Sequence, residues 1–111
     1  MVVVFTSREL AGSSSGESLA VGKSVSQGLV DVVRAIGCRP RVLIAKGGIT
    51  SSDVATEALG LERSMVMGQI LPGVPVWECG LESRYPGMAF VVFPGNVGSH
   101  DSLVRLADRL I

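Results

Sequence analysis

The chain has no net charge, and this excludes several classes of partner. Ten basic residues balance ten acidic ones, and the pI is about 6.6. General nucleic-acid binders and proteins drawn to acidic membranes carry a basic patch that such a balance does not supply. We therefore expect neither nucleic acid nor a membrane surface as a partner.

Long apolar runs and a targeting segment are also lacking. The longest apolar stretches, such as residues 88–93 (MAFVVF), fall far short of the roughly 20 residues of a transmembrane helix. Residues 1–5 are apolar but have neither the basic start nor the long apolar middle of a signal peptide. These absences predict a cytoplasmic protein.

Metal-ligating residues are scarce. Cys38 and Cys79 stand far apart without a CxxC motif, and His100 is the single histidine. A structural zinc site needs about four Cys or His ligands at short spacings. The sequence therefore predicts no metal site built by the protein, and we expect both thiols to be buried or half-buried.

Enough apolar material is present for one core. The 111 residues are 47% hydrophobic and 18% charged, with a mean hydropathy of +0.45. Domains typically hold roughly 100 to 200 residues, so we expect residues 1–111 to form a single domain. A chain of this size buries roughly two-thirds of its unfolded surface and needs no disulfide framework.

The first part of the chain predicts a strand, a loop and a helix. Residues 2–5 (VVVF) are β-branched and aromatic, as in a core strand covered on both faces. Residues 6–17 are rich in Ser and Gly and predict a loop. Apolar residues then recur at steps of three and four, predicting a helix over 18–36 that stops at Gly37.

Two strand, glycine turn and helix units follow. Residues 42–45 (VLIA) predict a strand, with a tight turn after Lys46 and a helix that is capped by Thr50, Ser51 or Ser52 and ends at Gly60. Residues 88–93 predict the second strand. A turn over 94–98 follows it, and a closing amphipathic helix over 103–110 begins after a cap at Ser99 or Asp101.

The segment between these units looks different. Residues 61–79 mix short apolar runs with Pro72, Gly73 and Pro75, which favours brief strands joined by a turn at Pro72 and Gly73. The whole pattern predicts the α/β class: a mostly parallel sheet with helices on both faces, plus a short β-rich segment around residues 62–79.

The two glycine turns are the candidate binding site. In an open α/β sheet, ligands bind beyond the carboxyl ends of the strands, where loops lead into helix N-termini. Glycine lets an anion approach free backbone N–H groups, and Lys46 adds a positive charge beside the first turn. The spacing matches neither the Walker pattern nor the GxGxxG fingerprint, so the same glycines also suit purely structural turns.

Other conspicuous residues have structural explanations. Asp53 lies in the first turn of its helix, where a carboxylate favours the dipole in any case. Trp77 lies among strand residues, which favours core packing over stacking on a purine. Glu78, Glu82 and Asp101 have no second carboxylate at a defined spacing in the sequence, so we predict no acid/base pair and name no catalytic residue. His100, just before the last helix, could contact an anion or titrate near neutrality, but a lone loop histidine usually does neither.

Three ordered blocks add a family resemblance. The segments KGGITSSDVATEALG (46–60), GQILPGVPVW (68–77) and VVFPGNVG (91–98) resemble the C-terminal nucleotide-binding domain of four-carbon acid sugar kinases. This resemblance implies an ATP-dependent kinase, with magnesium bound alongside the nucleotide, that phosphorylates an erythronate, a threonate or a 3-oxo-tetronate. The implied ATP-binding residues are those of the two turns: Gly47, Gly48, Ile49, Thr50, Gly95, Asn96 and Gly98.

The resemblance also sets limits. Such kinases hold the sugar acid in an N-terminal domain, and 111 residues are too few for both domains, so the chain resembles an N-terminally truncated fragment that is inactive alone. Many family members have Asp or Glu at the position of Ile49. This departure leaves open a second hypothesis, a noncatalytic α/β module that binds a nucleotide or another anion. A missing first strand would expose a sheet edge, which predicts a homodimer.

Overall fold

The computed structural model describes residues 2–5, 15–95 and 101–110. Within these ranges lie three α-helices, one π-helical segment and four strands: α1 (Ser15–Arg34), β1 (Val42–Lys46), α2 (Gly48–Asp53), the π-helical segment (Val54–Ala58) that continues α2, β2 (Ser64–Leu71), β3 (Val74–Cys79), β4 (Ala89–Phe93) and α3 (Ser102–Leu110). In these ranges, no helix combines the length and apolar character needed to cross a bilayer.

The four strands form one mixed sheet in the order β1-β4-β3-β2. Only β1 and β4 pair in parallel, with Lys46 opposite Phe93, whereas β3 is antiparallel to both β2 and β4. The prediction of a mostly parallel sheet is therefore wrong. The reason is that the connections are short. Pro72 and Gly73 join β2 to β3 in a hairpin, and residues 80–88 between β3 and β4 are fewer than the dozen or so residues that a parallel crossover needs.

Helices do cover both faces of the sheet, as predicted. Alternate residues of β4 point to opposite sides, so Phe90 packs in one core cluster and Val91 and Phe93 in the other. The first cluster includes Val30 of α1 and the buried residues of the π-helical segment. The second includes Leu106 of α3, which is completely buried.

The predicted first strand is wrong. Residues 2–5 have no regular secondary structure, and their side chains are 53–89% exposed. A β-branched run forms a strand only where a neighbouring strand offers hydrogen bonds and a surface to pack on, and β-propensity without that context is weak. The loop predicted over 6–17 lies mostly outside the described residues, and α1 already begins at Ser15.

The other boundaries fall close to prediction. The hairpin turn at Pro72 and Gly73, the helix end before Gly60 (φ +65°) and the helix over 102–110 are confirmed. Thr50, Ser51 and Ser52 are not caps, because α2 begins earlier, at Gly48, and contains all three. Ser99 lies outside the described residues. Cys79 is buried as expected, but Cys38 is exposed.

Candidate functional site

The two predicted glycine turns meet at one edge of the sheet. Gly47 directly follows β1 and Gly95 lies just beyond β4, at the carboxyl ends of neighbouring parallel strands. The N–H of Gly47 donates to the carbonyl oxygen of Phe93 at 2.7 Å. A Cβ built on Gly95 would lie only 3.9 Å from the Cα of Gly47. Gly47 and Gly95 therefore form one continuous backbone surface at the start of α2.

Backbone geometry at Gly47 requires glycine. Its φ of +101° and ψ of 143° belong to a region that L side chains rarely adopt. Gly47 occupies the N-cap position of α2 and supplies no side-chain cap, while its carbonyl oxygen accepts the N–H of Ser51 at 2.9 Å. The first N–H groups of a helix have no partner within the helix. This end of α2 therefore presents backbone donors without a capping side chain.

The side chains around the first turn differ in character. Ile49 is 77% exposed, and Thr50 is half-buried. Lys46 is exposed, and its Nζ lies 5.3 Å from the centre of the Phe93 ring, a cation–π distance. The lysine thus stands beside both turns, since Phe93 is the last residue of β4. Of the predicted second turn, Gly95 is described, whereas Asn96 and Gly98 lie outside the described residues, as does His100.

Ser51 has a structural role that sequence reasoning missed. Its buried hydroxyl donates to the carbonyl oxygen of Ala45 at 3.0 Å, which joins α2 to the end of β1. Asp53 is the last residue of α2, so the prediction that it lies in the first turn of its helix is wrong, because the helix begins earlier, at Gly48. Asp53 instead accepts a hydrogen bond from the buried hydroxyl of Ser26 on α1. Both contacts hold α2 in place behind the glycine turns.

A cavity of about 390 Å³ opens beside the start of α2. Residues on one face of α2 and its π-helical continuation form one side of the cavity: Gly48, Ser51, Ser52, Ala55 and Thr56. The segment leading into β2 and the sheet form the other side, with Leu61, Glu62, Arg63, Ser64, Trp77 and Val92. No sequence pattern named above predicts this cavity. The small residues recurring at steps of three and four along residues 48–56 were the available signal.

Trp77 belongs both to the core and to this cavity. It is half-buried, packs against the first core cluster and lies 6.2 Å from Phe90, measured between ring centres, with the ring planes at 55°. The expectation of core packing is confirmed, but it is incomplete because Trp77 also lines the cavity.

A carboxylate fixes the segment leading into β2. Oε1 of Glu82 accepts the backbone N–H groups of Glu62 at 3.0 Å and of Arg63 at 2.8 Å. These hydrogen bonds favour the ionised form and hold the pKa of Glu82 below its usual value. Glu82, which had no visible partner in the sequence, therefore positions two cavity-lining residues.

The described part of the chain contains no group of three His, Cys, Asp or Glu side chains that could hold a metal ion. Burial raises the pKa of the Cys79 thiol above its ordinary value of 9.0, so this sulfur stays protonated at neutral pH. Neither observation identifies a catalytic group.

Comparison with known protein families identifies one matching family. A model of the nucleotide-binding C-terminal domain family matches residues 1–103. No curated protein and no solved structure matches the chain. The matched range includes the glycine turns and the cavity, and it covers most of the sequence. The chain therefore belongs to the family of nucleotide-binding C-terminal domains.

Proposed function

We propose that this chain is the ATP-binding domain of a kinase that phosphorylates four-carbon sugar acids of the erythronate, threonate or 3-oxo-tetronate type. The observation that carries the proposal is the convergence of two glycine turns, Gly47–Gly48 and Gly95, at the ends of parallel strands in a member of a nucleotide-binding family. The three sequence blocks that resemble four-carbon acid sugar kinases support the choice of substrate.

The residues present suit a triphosphate. Backbone N–H groups at the start of α2 point their partial positive charge toward an anion, and no Cβ at Gly47, Gly48 or Gly95 blocks its approach. The Lys46 ammonium supplies a mobile positive charge beside both turns. The proposed contacts come from Gly47, Gly48, Ile49, Thr50 and Gly95, and from Asn96 and Gly98, which lie outside the described residues.

When bound, ATP would supply the phosphoryl group, and a magnesium ion bound with it would offset the negative charge of its phosphates. The part of this chain is to bind and orient the nucleotide and to offset negative charge near the glycine turns. The base that accepts the proton of the sugar hydroxyl belongs, in this proposal, to a separate sugar-acid domain of a larger kinase. Residues 1–111 form the nucleotide-binding domain, and we assign no catalytic residue to it.

A second candidate function is a noncatalytic module that binds a nucleotide or another anion. The specific observation in its favour is Ile49, which presents a largely exposed apolar side chain at the first turn where many of the resembling kinases have an acid. Kinase activity of the domain joined to a sugar-acid domain distinguishes the two functions.

Two further expectations stay predictions. A homodimer is expected through the sheet edge or apolar face that a missing first strand would leave. Light scattering that shows only monomer at high concentration would count against it. A cytoplasmic location is the setting in which such a kinase would act, and it too is a prediction.

The proposal is tested first by an amide NMR titration with magnesium and a nonhydrolysable ATP analogue. Saturable shifts that begin at Gly47, Gly48, Thr50 and Gly95 are expected, because docked phosphates change those N–H groups first. Absence of shifts in a folded sample at millimolar ligand contradicts nucleotide binding by this chain. The substrate is then tested by joining the domain to its sugar-acid partner and measuring ATP consumption with a panel of four-carbon acids.

A further inference from the structure

The cavity beside α2 is adjacent to the proposed phosphate site. Gly48 belongs to both, since it is the first residue of α2 and also lines the cavity. Val92, one residue before the end of β4, lines it as well. A ligand whose anionic part lies at the glycine turns can therefore extend its other part along α2 into the cavity.

The lining has two kinds of surface. Ser51, Ser52 and Thr56 are on the helix side, together with Ala55, whereas Leu61, Trp77 and Val92 give an apolar and aromatic surface on the sheet side. Small-molecule pockets typically measure about 300–1,000 Å³ and combine apolar walls with a few polar groups. A cavity of about 390 Å³ is at the small end of that range.

The cavity wall is held in place before any ligand binds. Glu82 fixes the backbone of Glu62 and Arg63, and the Ser51 hydroxyl fixes the helix side to Ala45. Trp77 is supported by Phe90 behind it in the core. An aromatic surface next to an anion site suits a flat aromatic base attached to phosphates.

We infer that the cavity formed by the small-residue face of α2 and the Trp77 side of the sheet holds the nucleoside part of the bound nucleotide, with the base against Trp77. This inference rests on the proposed nucleotide binding and adds to it the location of the base and ribose. It makes affinity depend on the base as well as on the phosphates.

Trp77 is the only tryptophan in the chain, so its fluorescence reports on this cavity alone. Titrations with Mg·ATP and with magnesium tripolyphosphate, which has the phosphates without the nucleoside, are compared by fluorescence and by calorimetry. ATP is expected to change the Trp77 emission and to bind about tenfold or more tightly than tripolyphosphate, equivalent to about 1.4 kcal/mol. Tripolyphosphate is expected to bind without the change in emission.

Two variants fill the cavity from its exposed side. Ser52→Phe and Thr56→Phe place a ring at exposed helix positions that line it, so both should fold, and Glu57→Phe is the matched control at an exposed position that does not. The filled variants should bind ATP about tenfold more weakly, keep their affinity for tripolyphosphate and lose the emission change. The control should behave like the wild type. Circular dichroism checks the fold of each variant.

The outcomes separate the two proposals. The cavity assignment is overturned if the wild-type protein binds ATP and tripolyphosphate equally well. It is also overturned if the filled variants bind ATP as tightly as the control. Either result leaves phosphate binding at the glycine turns intact. Wild-type protein that binds neither ligand overturns the proposed function, and the cavity assignment with it.

Discussion

The backbone nitrogen of Gly47 and the carbonyl oxygen of Phe93 are 2.7 Å apart and joined by a hydrogen bond. This bond continues the parallel β1–β4 pairing past Lys46, and it ties the first glycine turn to the strand that leads into the second. Gly47 is consequently held against the end of β4. A ligand that contacts Gly47 needs no rearrangement of this strand pair.

Substitution of Gly47 tests the backbone requirement at the first turn. Gly47→Ala should lower the free energy of unfolding by about 1–3 kcal/mol, because φ at +101° is strained for alanine although its Cβ meets nothing closer than 3.9 Å. Gly48→Ala is the matched control, since no atom lies within 4 Å of its Cβ and it is helical. Urea denaturation measures both, and equal stability of the two variants would contradict the strain argument.

The buried hydroxyl of Ser51 should matter for stability where that of Ser52 does not. Ser51→Ala removes the hydrogen bond to the Ala45 carbonyl and leaves that oxygen without the Ser51 donor, at an expected cost of about 1 kcal/mol. Ser52 is exposed, and no hydrogen bond is described for its side chain, so Ser52→Ala should change the melting temperature little. A loss of equal size in both variants would show that helix propensity, and not the buried bond, sets the effect.

Glu82 should make stability depend on pH on the acid side. Its folded-state pKa lies below the ordinary value of 4.5, so its stabilising effect is fully present above that value and is lost as the pH falls through the folded-state pKa. Glu82→Gln should lower the urea midpoint at neutral pH and weaken this acid-side loss. Glu57→Gln, at an exposed carboxyl on the π-helical segment, is the control. An unchanged acid profile in Glu82→Gln would contradict the role of the carboxylate.

The two thiols should react at very different rates. Cys38 is exposed, whereas Cys79 is buried and its pKa is raised, so a thiol reagent should label one cysteine rapidly in the folded protein and the second only after unfolding. Cys38→Ser should abolish the fast phase. Rapid labelling of that variant would mean that the β3 end opens readily in solution.

Local sequence patterns predicted several elements well. The β-branched run before Lys46, the Pro72–Gly73 turn and the apolar spacing over 103–110 each depend on interactions within a few residues, and each prediction agrees with the structure. The same local reasoning failed for residues 2–5, whose side chains look like those of a core strand and yet are exposed. A strand depends on a neighbour that the segment itself does not specify.

The candidate site could be predicted only in part from the sequence. The glycine turns were found because a strand end followed by glycine and a helix start is a local signal. The cavity was not found, because Trp77 and Ser52 come together only when β3 inserts beside β4 and α2 packs across that face. Similarly, Glu82 acquires its role through backbone N–H groups about twenty residues away in the chain.

The sequence by itself determined most of the turns and helices, because glycine, proline and apolar periodicity act over a few residues, but it wrongly predicted a strand over residues 2–5. The sequence also determined the family, through the order of its motif segments along the chain. Only the tertiary structure decided the direction and order of the strands, the meeting of Gly47 with Gly95 and the existence of the cavity beside Trp77. Those features arise from contacts between segments distant in the chain, and their energies depend on packing that no single segment contains.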